Sequence, residues 1–132
     1  MIYGTGADVV EIARVEAALR RFGRRFAERV LGPQELQRFD ARSARAAARG
    51  LAFLATRFAA KEAVAKALGL GMRQPMSWRA VEILNEASGR PIAVTHGALA
   101  AYVAARKLRL HVSVSDERAM ALAYAIAETT EA

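Results

Sequence analysis

The sequence predicts an α+β fold in one unit spanning residues 1–132, an antiparallel sheet with packed helices. Three observations point there. A short extended run opens the chain, a long block from Ile12 to Gly71 keeps helical phase, and after Gly71 the apolar period shifts toward that of strands.

Met1 to Glu11 reads as a strand, since Ile2, Val9 and Val10 favour extended structure and Gly4 and Gly6 allow close backbone approach. From Ile12 the apolar residues Val15, Leu19, Phe22, Phe26 and Val30 form one helical stripe, which Gly23 divides. Pro33 opens a short helix through Phe39, and Asp40 is placed to cap the next helical stretch. Residues 41–50 are nearly all Ala and Arg, helical by propensity but poor in large apolar groups, which predicts weak packing and no evident role. Leu51, Leu54, Phe58, Ala65 and Leu68 carry a helix to Gly69, where a left-handed cap is expected. Trp78 to Leu84 and Pro91 to Thr95 flank the turn Glu86 to Arg90 as a hairpin, Gly97 to Leu108 returns to helix, and two strands follow, one alternating from Leu110 and one over Ala119 to Ala127.

Composition narrows the function. No apolar run reaches the roughly 20 residues of a membrane span, and Met-Ile-Tyr-Gly is not the start of a signal peptide, so a cytoplasmic location is expected. The absence of Cys excludes disulfides, thiolate metal sites and a thiol nucleophile, and two His are too few for a typical zinc cluster. Any metal should be oxygen-bound. The net charge is +7, and of 20 basic residues all but Lys61, Lys66 and Lys107 are Arg, which predicts attraction to an acidic partner or ligand.

Arg57 to Gly71 is the stretch best suited to chemistry. Glu62 and Lys66, four apart on a helix, project from one face, followed by the Gly69-Leu-Gly71 loop; they suit an anionic ligand carrying a metal ion, or form an ordinary surface ion pair. Asp8, within the apolar run Ala7 to Val10, is either functional or a cap of the next helix. Arg14, Arg21 and Arg25 share a side away from the apolar stripe, with only Glu16 and Glu28 to offset six Arg between Arg14 and Arg29, and this favours a docking surface.

Together, Gly4-Thr-Gly-Ala-Asp8-Val-Val-Glu11-Ile-Ala-Arg14, Arg57-Phe-Ala-Ala-Lys61-Glu62-Ala with Lys66-Ala-Leu-Gly69, Asn85-Glu-Ala-Ser-Gly89-Arg-Pro91, and His111-Val-Ser113 resemble the holo-acyl-carrier-protein synthases, the small stand-alone 4'-phosphopantetheinyl transferases. The resemblance runs from Met1 to about Glu128, with the motifs in the family's order and spacing. It implies Mg2+-dependent transfer of 4'-phosphopantetheine from coenzyme A to a serine of apo acyl carrier protein in fatty acid biosynthesis, with release of adenosine 3',5'-bisphosphate. It also implies a homotrimer with active sites between subunits. By position, Asp8 and Glu62 match the family's metal-binding carboxylates, and Lys66 matches a lysine beside the reacting phosphates.

The same resemblance places Arg57 near the nucleotide part of coenzyme A, with Lys61 close by; a structural ion pair explains either as well. Gly69 and Gly71 either bring backbone amides to phosphate or serve as helix caps. Arg14, Arg21 and Arg25, with Arg24 competing for the last position, match arginines that grip the acidic helix of the carrier protein. Two departures stand out. Ser115-Asp116-Glu117-Arg118 replaces the Thr-His that many members carry, so no histidine role is expected there, and Ala7 is smaller than usual. His111 on its alternating strand reads as structural. The competing reading is a basic α+β module binding nucleic acid without catalysis, which lacks the interleaved aromatic platform used for single strands.

Overall fold

The computed structural model describes residues 1–131. The chain runs β1 (Ile2–Glu11), α1 (Ile12–Phe22), α2 (Arg24–Val30), α3 (Pro33–Arg45), α4 (Ala47–Leu68), β2 (Val81–Asn85), β3 (Pro91–Thr95), α5 (Gly97–Ala105), β4 (Leu108–Glu117) and β5 (Met120–Thr129). All strand pairs are antiparallel: one sheet has the order β1-β5-β4, and β2 with β3 forms a separate hairpin. The α+β expectation holds.

Helix α4 is the axis of the fold. Its sides carry small or apolar residues almost all round, so it is buried between two cores. On one side Ala59, Ala63, Val64 and Ala67 pack with Ile83, Leu99 and the inward residues of β5; on the other Leu54 and Phe53 meet Val15, Val30, Leu31 and Phe39 from α1–α3. The β5 residues facing α4 are Ala121, Ala123, Ala125 and Ala127, all buried. Small side chains on helix and strand let the two approach closely. The approach is closest at β1, where a Cβ on Gly6 would overlap the Ala63 carbonyl and one on Gly4 the Ala67 carbonyl. Only glycine fits between this strand and this helix.

Gly23 breaks the first helical stretch as expected. Three local expectations need correction or refinement. The helix from Pro33 continues to Arg45, so Asp40 lies inside α3 and caps nothing; its carboxylate instead takes both Arg24 Nη atoms, at 2.7 and 2.9 Å. The Ala/Arg stretch is mostly exposed, as weak packing implies, but it is anchored at points: Gly50 is buried against Ser43, and Arg42 lies 4.7 Å over the Phe53 ring. A residue with no large aliphatic group can still pack through a guanidinium laid on an aromatic face. Phe22, assigned to the buried stripe, is 54% exposed.

Candidate active site

Asp8 and Glu62 line the same cleft. It encloses about 460 Å³ between β1, α1, α2 and α4, with Arg14, Val15, Phe26 and Phe58 as other walls. Asp8 occupies an inward-facing position of β1, in the pleat phase of Gly6 and Val10, and the close seating of Gly4 and Gly6 on α4 brings it to that helix. Asp8 does not cap α1, whose N-cap position is Glu11, without a side-chain bond.

The Glu62–Lys66 ion pair expected from spacing does not form. The Lys66 ammonium crosses to β1, donating to the Ala7 carbonyl at 2.9 Å and to Asp8 Oδ1 at 3.3 Å. Glu62 is left without that partner. Burial chiefly, then the Asp8 charge, holds its carboxyl above the usual range, with Lys66 opposing. The effect of the Asp8 charge on Glu62 is what two carboxylates facing one small volume produce. Magnesium takes one or two protein carboxylates and draws its other ligands from water and phosphate, so two hard oxygen donors converging on an open cleft fit it. Among the described residues no set of three or more His, Asp or Glu side chains forms a closed metal cage.

Two further clefts flank this one. A groove of about 900 Å³ is lined by Arg21, Arg25 and Arg29 beside Phe22, Phe26, Phe58 and Trp78. Phe26 and Phe58 belong to both the groove and the carboxylate cleft, their rings 6.2 Å apart, and Trp78 stacks on Phe58 at 4.7 Å. The second cleft, about 590 Å³, lies between α3, α4 and β4 and is lined by Arg38, Arg42, Arg45, Arg49 and Arg57, with Asp116 the acid among them. Sequence reasoning missed this cluster. Arg38, Arg42 and Arg45 are spaced as one helical stripe on α3, which was the available signal, and Arg49 joins them from the first turn of α4.

Residues 4–125 match the family described as the 4'-phosphopantetheinyl transferase superfamily. The chain belongs to that superfamily. The transferase is 61% identical over 132 residues, all of this chain and 94% of the relative, to the holo-[acyl-carrier-protein] synthase of Cupriavidus taiwanensis. It is 59% identical to that of Cupriavidus necator over 97% of this chain and 91% of the relative. Among solved structures, the holo-[acyl-carrier-protein] synthase of Neisseria meningitidis superposes with a TM-score of 0.90 at 39% identity, covering 98% of this chain and all of that one. The holo-(acyl-carrier-protein) synthase of Bacillus anthracis in complex with CoA (3',5'-ADP) gives 0.81 at 32% identity, covering 98% and 99%.

The structure of the transferase sorts the remaining candidates. Lys61 is fully buried, its ammonium 2.6 Å from Glu35 Oε1, and reaches none of the three clefts; the structural alternative is the one realised. Arg57 is 3% exposed and spends its donors on the Ile83 carbonyl, Thr56 Oγ1 and Asn85 Oδ1, yet it forms part of the arginine-lined wall. Burial lowers its pKa to about 10; Glu35 opposes, and Arg42 and Arg38 add to the lowering. The Gly69 and Gly71 amides are already used, donating to the Lys66 carbonyl at 3.0 Å and the Ala65 carbonyl at 3.3 Å, so they cap α4 and are not free for phosphate. Arg24 is held by Asp40 and Glu28, which leaves Arg21 and Arg25 at the groove and Arg14 in the carboxylate cleft. His111 pairs with Glu128 at 2.9 Å across β4 and β5.

Proposed function

We propose that this protein transfers 4'-phosphopantetheine from coenzyme A to a serine hydroxyl of an apo acyl carrier protein, releasing adenosine 3',5'-bisphosphate, as a step supporting fatty acid biosynthesis in the cytoplasm. The observation that carries the reading is the convergence of Asp8 and Glu62 on one cleft, with Lys66 at Asp8 and a cationic groove alongside. Membership of an enzyme family leaves the reading as a non-catalytic nucleic-acid module without support.

In the reaction the serine oxygen forms a bond to the phosphorus that bears pantetheine, and the bond from that phosphorus to the bridging oxygen breaks. Asp8 and Glu62 would hold Mg2+, which when bound neutralises charge on the pyrophosphate oxygens. Lys66, more than half exposed, has its ammonium held by the Ala7 carbonyl and Asp8, which leaves its third donor for the same oxygens. A carboxylate of the pair, or a water held at it, would take the serine proton. Arg14, Arg21 and Arg25 would receive the acidic carrier, and Phe22 and Phe26 its apolar side.

The arginine cleft suits the phosphate-rich nucleotide end of coenzyme A. Its position bears on assembly. Asp8 pairs with Ala123 and Ala123 with Val114, so carboxylate cleft and arginine cleft lie level with each other at opposite edges of the sheet. Helix α4 stands between them: at about 100° per residue, Phe53 and Thr56 face nearly opposite to Phe58 and Glu62. One coenzyme molecule is served more directly by the carboxylates of one copy and the arginines of a neighbour. The outer sheet face, where Tyr3, Val9, Leu122 and Tyr124 are exposed, offers the apolar surface for that contact. The homotrimer that the family resemblance implies, with its sites between subunits, accords with this placement.

Incubation with coenzyme A, Mg2+ and apo carrier should raise the carrier's mass by one phosphopantetheine. No addition at saturating substrates overturns the assignment.

A further inference from the structure

Lys61 and Glu35 are both fully buried and neither lines a cleft. The ammonium has three donors, and each meets an acceptor from a different element: the Val30 carbonyl at 2.6 Å, Glu35 Oε1 at 2.6 Å and the Trp78 carbonyl at 2.7 Å. Glu35 also accepts from the Gly32 amide at 2.9 Å and the Ile83 amide at 2.7 Å. Val30 is the last residue of α2, so its carbonyl has no partner within the helix, and positive charge there complements the helix dipole. The next carbonyl, Leu31, is taken by Arg79 Nε at 3.1 Å.

Helix α2 needs such an anchor. It has seven residues, too few to be stable alone, and joins α1 through Gly23 at φ 66°, where a side chain would meet open space. It also carries Arg25, Phe26 and Arg29, which form the groove, while Phe26 is shared with the carboxylate cleft. A buried ion pair is weak evidence for stability, because apolar residues of like volume commonly serve as well. One donation to the end of this short helix, with the other two tying the same ammonium to α3 and to the segment before β2, is a matter of placement. We infer that Lys61 is a positioning residue that fixes α2 against α4, and so fixes where a carrier docked on Arg25 and Arg29 delivers its serine relative to the neighbouring Glu62.

The inference rests on the transferase reading for its kinetic arm but not for its structural one. Lys61→Met removes the ammonium and keeps the stem; Lys61→Met/Glu35→Met removes both charges and avoids an unpaired carboxylate should the single variant fail to fold. Leu99→Ala, on the buried side of α5, controls for general destabilisation. In the charge-deleted protein, amide exchange at Ala27 to Leu31 should accelerate about tenfold relative to β5, and the KM for apo carrier should rise about tenfold while that for coenzyme A stays within about twofold. Leu99→Ala should do neither. Unchanged exchange at the end of α2, or equal rises in both KM values, overturns the inference. Failure of the wild-type protein to transfer would remove the function reading while the exchange comparison still decides the anchoring.

Discussion

The Lys66 ammonium sits 3.3 Å from Asp8 on another element and leaves Glu62, one turn away on its own helix, unpaired. The pairing keeps a cation at the strand carboxylate while Glu62 stays open to the cleft. Lys66→Met should fold normally, because the side chain is over half exposed, and turnover should fall by on the order of 10²-fold. Steady-state rates with a melting curve on the same sample check both statements.

Glu62→Gln gives a pH-dependent contrast. The folded-state carboxyl is raised above its ordinary value of 4.5, so folding bears a cost of ionising it that is complete above the folded pKa and absent below the unfolded one. In metal-free buffer the Gln variant should therefore melt higher than wild type at pH 7, the gap closing as pH falls toward 4.5. Adding Mg2+ should stabilise wild type and not the variant, and the variant should lose at least about 10²-fold in turnover. Thermal melts across pH with and without Mg2+ measure this.

Arg45→Ala should raise the KM for coenzyme A by roughly tenfold with kcat nearly unchanged, since Arg45 lines the cleft far from the carboxylates. Dephospho-coenzyme A, lacking the 3'-phosphate, should be a poorer substrate for wild type and should show a smaller penalty in the variant. An equal penalty in both proteins would place that phosphate elsewhere.

Adjacent arginines should differ sharply. Arg25 lines the groove, whereas Arg24 is tied to Asp40 and Glu28. Arg25→Ala should raise carrier KM by about five- to tenfold and weaken its salt dependence, while Arg24→Ala should change it less than about twofold. Initial rates against carrier concentration at two ionic strengths distinguish the pair.

Much of this was legible because periodicity reports burial. The stripes at 3.6-residue spacing placed α1, α2 and α4, the extended propensity of Ile2, Val9 and Val10 placed β1, and the Gly23 break was read where it occurs. Asp8 was readable as anomalous because it interrupts an apolar run. For Lys61 a structural ion pair was one of two open readings, but its partner was not readable, because Glu35 lies 26 residues earlier and meets it only in the fold. The same holds for Lys66, whose nearest carboxylate in sequence is not its partner in space. Residues 41–50 carry no bulky periodic signal and are mostly exposed, as that implies; what the sequence did not show is that Arg42 packs on Phe53. Spacing on one helix shows which residues share a face, but not what stands opposite.

The level placement of the two clefts at opposite edges of the sheet bears on inheritance as well as geometry. In the proposed trimer, a subunit lacking Glu62 still lends its arginines to one neighbour, and a subunit lacking Arg45 still lends its carboxylates to another. The two variants, mixed through unfolding and reassembly and assayed at coenzyme A well below the raised KM, should therefore complement each other, with about a quarter of the sites in an equal random mixture made of two intact halves. Recovered activity would show that a defect in one copy is masked or unmasked by its partners. No recovery would return both halves of the site to a single chain.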